Sequence, residues 1–337
     1  MAYDAASYGA SQFQMAIIGE SVLGTANVTT MQRVNVDVPL SFPDLNPVMD
    51  FSVRSGTGRT AKTTDKFVCE SGTVRTIPFS ATADKTVLPM LLSNINTIAI
   101  DTGPAAFDAA SQYTPPALAH GRTSGTYLHS MTVAAPISPS GSNTVIFPGC
   151  VLQDLTITLG GMDDRNGQAK ISGNFITGYK PTFAQAAPSS MVAYPSTFYY
   201  LDDMYTKKTF AGKSNVVLDG LTITISNPSR YEGFQGANGD PESITRGIPE
   251  LSVIAKAILK YDSNTADLLE DYKDGGIAAN IELSNNATWA SATGLGLLIA
   301  AGSINEQPAL NDKSSMYIDV SVKALDNETD DLARIIA

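Results

Sequence analysis

Histidine, cysteine and tryptophan are nearly missing from this 337-residue chain, which has 2 His, 2 Cys and 1 Trp. So little histidine removes the side chain on which acid–base and transition-metal chemistry most often rests. His120 and His129 stand in a Gly, Ser and Thr-rich stretch at a spacing that fits neither HxxxH nor HExxH. Cys69 and Cys150 have no CxxC spacing and no partner cluster, so both are expected to be free buried thiols. No apolar run approaches the roughly 20 residues of a membrane span; the most apolar stretch, Leu295 to Ala301, is strand length. The opening Met1-Ala-Tyr-Asp-Ala-Ala has no basic region followed by an apolar core, so a soluble product made in a cytoplasm is expected.

Basic charge is also short. Lys plus Arg is 22 against 33 Asp plus Glu, a net charge of −11. Residues 1–180 carry −2 of it and residues 181–337 carry −9. An acidic chain is poorly suited to gripping phosphate backbones, which needs clustered Lys and Arg. It suits a passage through which nucleic acid slides without sticking.

Motifs for small-molecule chemistry fail on inspection. Gly212-Lys213-Ser214 ends like a phosphate-binding loop, but Lys207 stands where the first glycine belongs and a strand follows, so a turn is expected. Asp163, Asp164 and Asn166 resemble calcium ligands, yet Gly167 leads into a strand and no acid closes the loop. No catalytic, cofactor-binding or metal-binding residue is assigned, and the chain is expected not to be an enzyme.

What the sequence does contain is one strand and helix grammar written twice. In the first copy, β-rich runs at Met49–Arg54 and Phe67–Ser80 flank a polar loop, and a helical segment follows from Asp84, with Pro89 expected to limit its length. Val145–Leu159 and Gln168–Thr177 then form a hairpin across the polar, glycine-bounded stretch 160–167. The second copy opens with Val216–Ser226, where Leu221, Ile223 and Ile225 alternate with Thr222, Thr224 and Ser226, the period of a half-buried strand. A polar loop, Asn227–Thr245, precedes an apolar run at Gly247–Tyr261, and a capped helix at Asn264–Tyr272 ends at Gly275 and Gly276. Strands are expected near Ile277–Leu283, Leu295–Ala301 and Met316–Leu325.

The expected architecture is mainly β: two tandem β-sandwich modules, each with a short flanking helix. Residues 1–180 form the first module, with an N-terminal extension and an irregular, proline-bearing insertion at 95–143. Residues 181–215 form a linker rich in proline and aromatics that should pack against something, and residues 216–337 form the second module. Two loops stand out as inter-subunit arms. Arg54–Lys66 carries Arg54, Arg59, Lys62 and Lys66 against one acid, so it could dock on an acidic face of a neighbouring copy. Its counterpart, Asn227–Thr245, sets Tyr231 and Phe234 among glycines, for a contact surface or for folding back onto its own module.

Two regions resemble the tail tube, or major tail, proteins of long-tailed bacteriophages. Val145–Leu159 with Ala169–Pro181 is similar to their long strand pair. Leu218–Asn227, Thr245–Lys256 and the helix around Asp267–Tyr272 resemble their series of strand, arm loop, strand and helix. The likeness is one of layout from about Met49 onward. It implies sheets continuing across subunits into a tube barrel, the long loop reaching a neighbour, and a channel for DNA during genome delivery. Family rings are hexamers, so a duplicated chain implies a trimer with pseudo-sixfold symmetry, located in the virion tail with other tail proteins and binding neither membrane nor DNA specifically. Two other functions fit an inert β-rich chain: a different virion structural protein, such as a decoration or baseplate component, and a carbohydrate-binding β-sandwich module.

Overall fold

Alternation of apolar and hydroxyl side chains sets the central strands, and their neighbours are set by which halves of the chain pair. The computed structural model describes residues 12–37, 48–50, 67–69, 73–96, 130–138, 144–160, 167–185, 188–214, 216–234, 240–247, 250–258, 263–275, 279–287, 294–313, 315–325 and 334–336. The elements of the first half are β1 (Gln14–Gly19), β2 (Thr30–Val34), β3 (Val48–Asp50), β4 (Phe67–Cys69), β5 (Arg75–Thr82), α1 (Val87–Asn96), β6 (Met131–Ile137), β7 (Thr144–Leu159) and β8 (Ala169–Thr177). A middle stretch holds β9 (Thr182–Gln185), β10 (Ser190–Val192), a 3₁₀ turn at Leu201–Met204, β11 (Lys207–Phe210) and β12 (Lys213–Ser214). The second half contains β13 (Val217–Ser226), β14 (Ser229–Glu232), β15 (Ser243–Arg246), β16 (Glu250–Ile258), α2 (Ser263–Lys273), β17 (Ile281–Ser284), β18 (Gly296–Ile299), β19 (Gly302–Ile304), β20 (Ala309–Lys313), β21 (Ser315–Ala324) and β22 (Arg334–Ile336).

The protein is mainly β, with several sheets, none of them closed among the described residues. The largest has 13 strands and draws on both halves of the chain. Its centre is an antiparallel run in the order β5, β8, β7, β13, β16, β21, three strands from each half. The joint between the halves is β7 against β13, with Leu159 opposite Leu221 and Asp154 opposite Ser226. On one face Leu155, Ile157, Leu159, Leu221, Ile223 and Ile225 are all buried, each stabilising the fold by about 1.5–3 kcal/mol. These residues share one cluster with Val320 and Val322 of β21 and with Ile281, Leu283, Leu297 and Ile299 of a five-stranded sheet, β12–β11–β17–β18–β22.

Strand neighbours follow a similar order in the two halves. β8 lies beside β5 and β7 outside it, just as β21 lies beside β16 and β20 outside that. Each first strand is preceded by a short hairpin, β3–β4 in one half and β14–β15 in the other. Both helices begin five residues after their strand's end, Thr82 to Val87 and Ile258 to Ser263.

Several expectations change. Pro89 does not shorten α1: it sits near the start of the helix, where its fixed φ suits a helical turn, and the helix runs on to Asn96. Asp84 caps that helix through Oδ1, which accepts from the N–H groups of Thr86 (2.9 Å) and Val87 (2.7 Å). The 95–143 stretch is not irregular throughout, because β6 is a buried strand between β1 and β7. The N-terminal extension supplies β1 and β2 to the same sheet, pinned by Glu20, whose carboxylate accepts from Ser130, Thr132, Gly24 and Gly149. The 181–215 linker is woven into the fold: β9 pairs with β7, β10 with β2 and β11 with β17, while buried Tyr199 bonds along the backbone to Ala83 and Ala169.

Among the described residues, no helix is long and apolar enough to cross a membrane. Gly212 forms a turn, as expected: with Ala211 it has positive φ between β11 and β12, and Lys213 pairs with Asp271 at 2.9 Å on α2. Cys150 is a free, buried thiol whose pKa burial pushes well above the ordinary value, and the Cys69 side chain lies outside the described part.

Candidate functional site

The face opposite the core carries an extended chemical pattern. Reading across the strands, Ser80, Ser172, Thr156 and Thr224 stand in one row, and Thr82, Lys170, Thr158 and Thr222 in the next. Their side chains are partly or fully exposed apart from Thr82, which is buried. The row nearest the arm hairpin runs Pro78, Asn174, Asp154, Ser226. Hydroxyl groups dominate because one face of an antiparallel sheet is left to water while β-branched threonine keeps the strand propensity of valine. Among its charges, Lys170 stands in the second row, Asp154 is hydrogen-bonded and Lys323 is ion-paired. Asn174 donates to both oxygens of Asp154 (3.0 and 2.9 Å), and Lys323 donates to Glu250 at 3.2 Å. The latter pair is exposed and contributes at most about 1 kcal/mol. The result is a broad face dominated by hydroxyl groups among the described residues.

The joint beneath this face is held by a buried polar lock. Arg246 at the end of β15 is 5% exposed, and its Nη1 donates to the Ile95 carbonyl at 2.9 Å. Asn227 donates to the same carbonyl at 2.7 Å, and Asn94 Oδ1 accepts from the Leu152 N–H at 2.6 Å. Ile95 lies in the last turn of α1, where carbonyls lack helical partners and a cation is favoured by the helix dipole. A side chain of the second half therefore terminates the helix of the first.

The expected arm residues separate into two groups. Arg54, Arg59, Lys62 and Lys66 lie outside the described residues, as do His120, His129, Asp163, Asp164 and Asn166. Tyr231 and Phe234 are described, and Tyr231 turns inward. It is 4% exposed, its hydroxyl lies against the carbonyls of Gly149 and Ile176 (the latter at 3.0 Å), and Tyr179 meets its ring edge-on at 6.2 Å. Burial holds its hydroxyl well above the ordinary tyrosine pKa. Of the two roles expected for this loop, Tyr231 takes the inward one here: its buried hydroxyl serves the two carbonyls and anchors the β14–β15 hairpin on the first half. Phe234 is half-buried against the same cluster, with Val151, Ile176 and Tyr179. Close approach makes glycine necessary here: Gly149 has φ of +63°, and an added Cβ would lie 2.3 Å from the Tyr179 ring.

Sequence reasoning found the wet face only on β13. Its continuation onto β7, β8 and β5 was present as alternation at Thr156, Thr158, Ser172 and Asn174, but the order of strands that turns these into one surface was not. Comparison with protein-family models and with curated proteins returned no match.

Proposed function

We propose that this chain is a structural subunit that assembles with copies of itself into a tube of the kind formed by bacteriophage tail tube proteins, lining a channel through which DNA passes. The observation that carries the reading is the central run of the large sheet: two repeats of the same strand order, fused edge to edge, with an apolar face on the core and a continuous hydroxyl face on the other side. In this reading each repeat is one β-sandwich module of the barrel. The hydroxyl face is the lining, where mostly neutral side chains leave a polyanion little to hold. Two repeats per chain make three chains the natural closure, with six similar positions.

Electron microscopy of purified protein, with mass measurement of the particles, tests the proposal. Rings or stacked tubes of three chains per ring are expected. A strict monomer at high concentration refutes the proposal, and rings that never stack favour a decoration or baseplate component instead.

A further inference from the structure

We propose that the β14–β15 hairpin is a hinged flap of the second half, closed on the first half by two side-chain pins, Tyr231 and Arg246, that release together. The inference concerns a single chain and holds whether or not copies assemble.

The hairpin has little to hold it except those pins. Among the described residues, β14 and β15 pair only with each other, and a two-stranded ribbon is marginal in water by itself. Each strand buries one side chain, Tyr231 on β14 and Arg246 on β15. Arg246 pairs with Ser229, two residues from Tyr231, so both pins leave the same face of the ribbon. Both end on backbone carbonyls of the first half. The Tyr231 hydroxyl lies against Gly149 and Ile176, and Arg246 Nη1 donates to Ile95 at 2.9 Å. The first half reaches back once, where the Tyr179 hydroxyl donates to the Pro241 carbonyl at 3.0 Å. Phe234 and Ile244 add partly buried apolar contact over Val151, Ile176 and Tyr179.

The foot of the hairpin supplies the hinge. On one side Asn227 is fixed, its N–H donating to the Gln153 carbonyl at 2.8 Å and its side chain to Ile95 at 2.7 Å. On the other, the Gly247 N–H donates to the Pro228 carbonyl at 2.6 Å and closes the base of the ribbon. Rotation between these bonds and the pins leaves the β13–β16 ladder, which starts at Ser226 and Glu250, intact. Opening gives the Gly149 and Ile176 carbonyls to water and leaves Asn227 on Ile95, so each acceptor keeps a partner. The open state therefore lies far below unfolding of either half. The pins release as one because four paired positions tie β14 to β15. What opening uncovers is an apolar floor of Val151, Ile176 and Tyr179 rimmed by carbonyl acceptors.

Native-state hydrogen exchange of the monomeric chain in low urea tests the flap. The cross-strand amides of β14 and β15 are expected to share one rate, about tenfold or more above β13 and β16, and to respond weakly to urea, because their opening exposes little surface. Exchange of the hairpin at the rate and urea dependence of β13 and β16 overturns the proposal, since the hairpin would then open only with the whole chain. Tyr231→Phe and Arg246→Lys test whether the pins act together. Each variant is expected to speed both strands by about tenfold, including the strand it does not alter. Acceleration confined to the substituted strand overturns the joint release, and no acceleration in either variant overturns the pins. Should Arg246→Lys fail to fold, the wild-type rates and Tyr231→Phe decide the matter alone.

Discussion

Replacing Tyr231 separates a residue that holds its own chain together from one that holds a neighbour. A buried tyrosine removes roughly 150–250 Å² from water, which at about 25 cal/mol per Å² sets an upper limit of roughly 4–6 kcal/mol. Aromatic-to-alanine truncation in a core costs about 3–5 kcal/mol, so Tyr231→Ala is expected to destabilise the isolated chain by about 4 kcal/mol. Tyr231→Phe keeps the ring and its edge-on contact with Tyr179 but leaves the Gly149 and Ile176 carbonyls without the hydroxyl, for a loss of about 1–2 kcal/mol. Urea titration of the monomeric chain measures both, read as midpoint shifts at constant slope. A shift below about 1 kcal/mol for Tyr231→Ala in the monomer, with loss of assembly, would show that the ring serves a neighbour and that its burial here is misread.

Further expectations follow from the same contacts. Burial raises the Asp84 pKa although its oxygens cap α1, so its stabilisation is complete below about pH 4 and declines as pH climbs through the folded value. Asp84→Asn should match or exceed wild type at pH 7, while Asp84→Ala falls about 1 kcal/mol below it in thermal unfolding; equal losses in the two would sink this assignment. Burial also raises the pKa of Tyr179, Tyr199, Tyr205 and Tyr231, so stability is held up to about pH 10 and lost above it. Their phenolate absorbance should then emerge together with unfolding rather than before it. Gly149→Ala combines positive φ with contact on the Tyr179 ring and should cost more than about 2 kcal/mol in the same urea assay. Reversing Arg59 and Lys62 to Glu should impair assembly in sedimentation while leaving monomer stability within about 0.5 kcal/mol; unchanged assembly would remove the arm hypothesis.

Elements with strong alternation could be read from the chain directly. The 145–177 hairpin, the strand at 217–226, its return at 250–258 and the helix at 263–273 lie within a few residues of where periodicity and caps put them. Elsewhere the local signal was weak for physical reasons. Met131–Ile137 is buried at every position, so it has no period to detect, and the short, polar β14 and β15 carry the composition of a loop. Pairing between halves was not legible at all, because alternation tells which way a side chain points and not which strand lies beside it. Tyr231 shows the same limit: an aromatic among glycines fits a sticky surface and a buried anchor equally well until the carbonyls around it are known.

The fused joint between β7 and β13 also alters how such a particle could grow. Half of its lateral contacts would be completed when a polypeptide folds, independent of how many molecules are present, and only the remaining half would depend on collisions. A closed circle would then need three encounters in place of six, and the two halves of each molecule, always present in equal number, would be free to diverge in charge as these have, without any risk of mispaired stoichiometry.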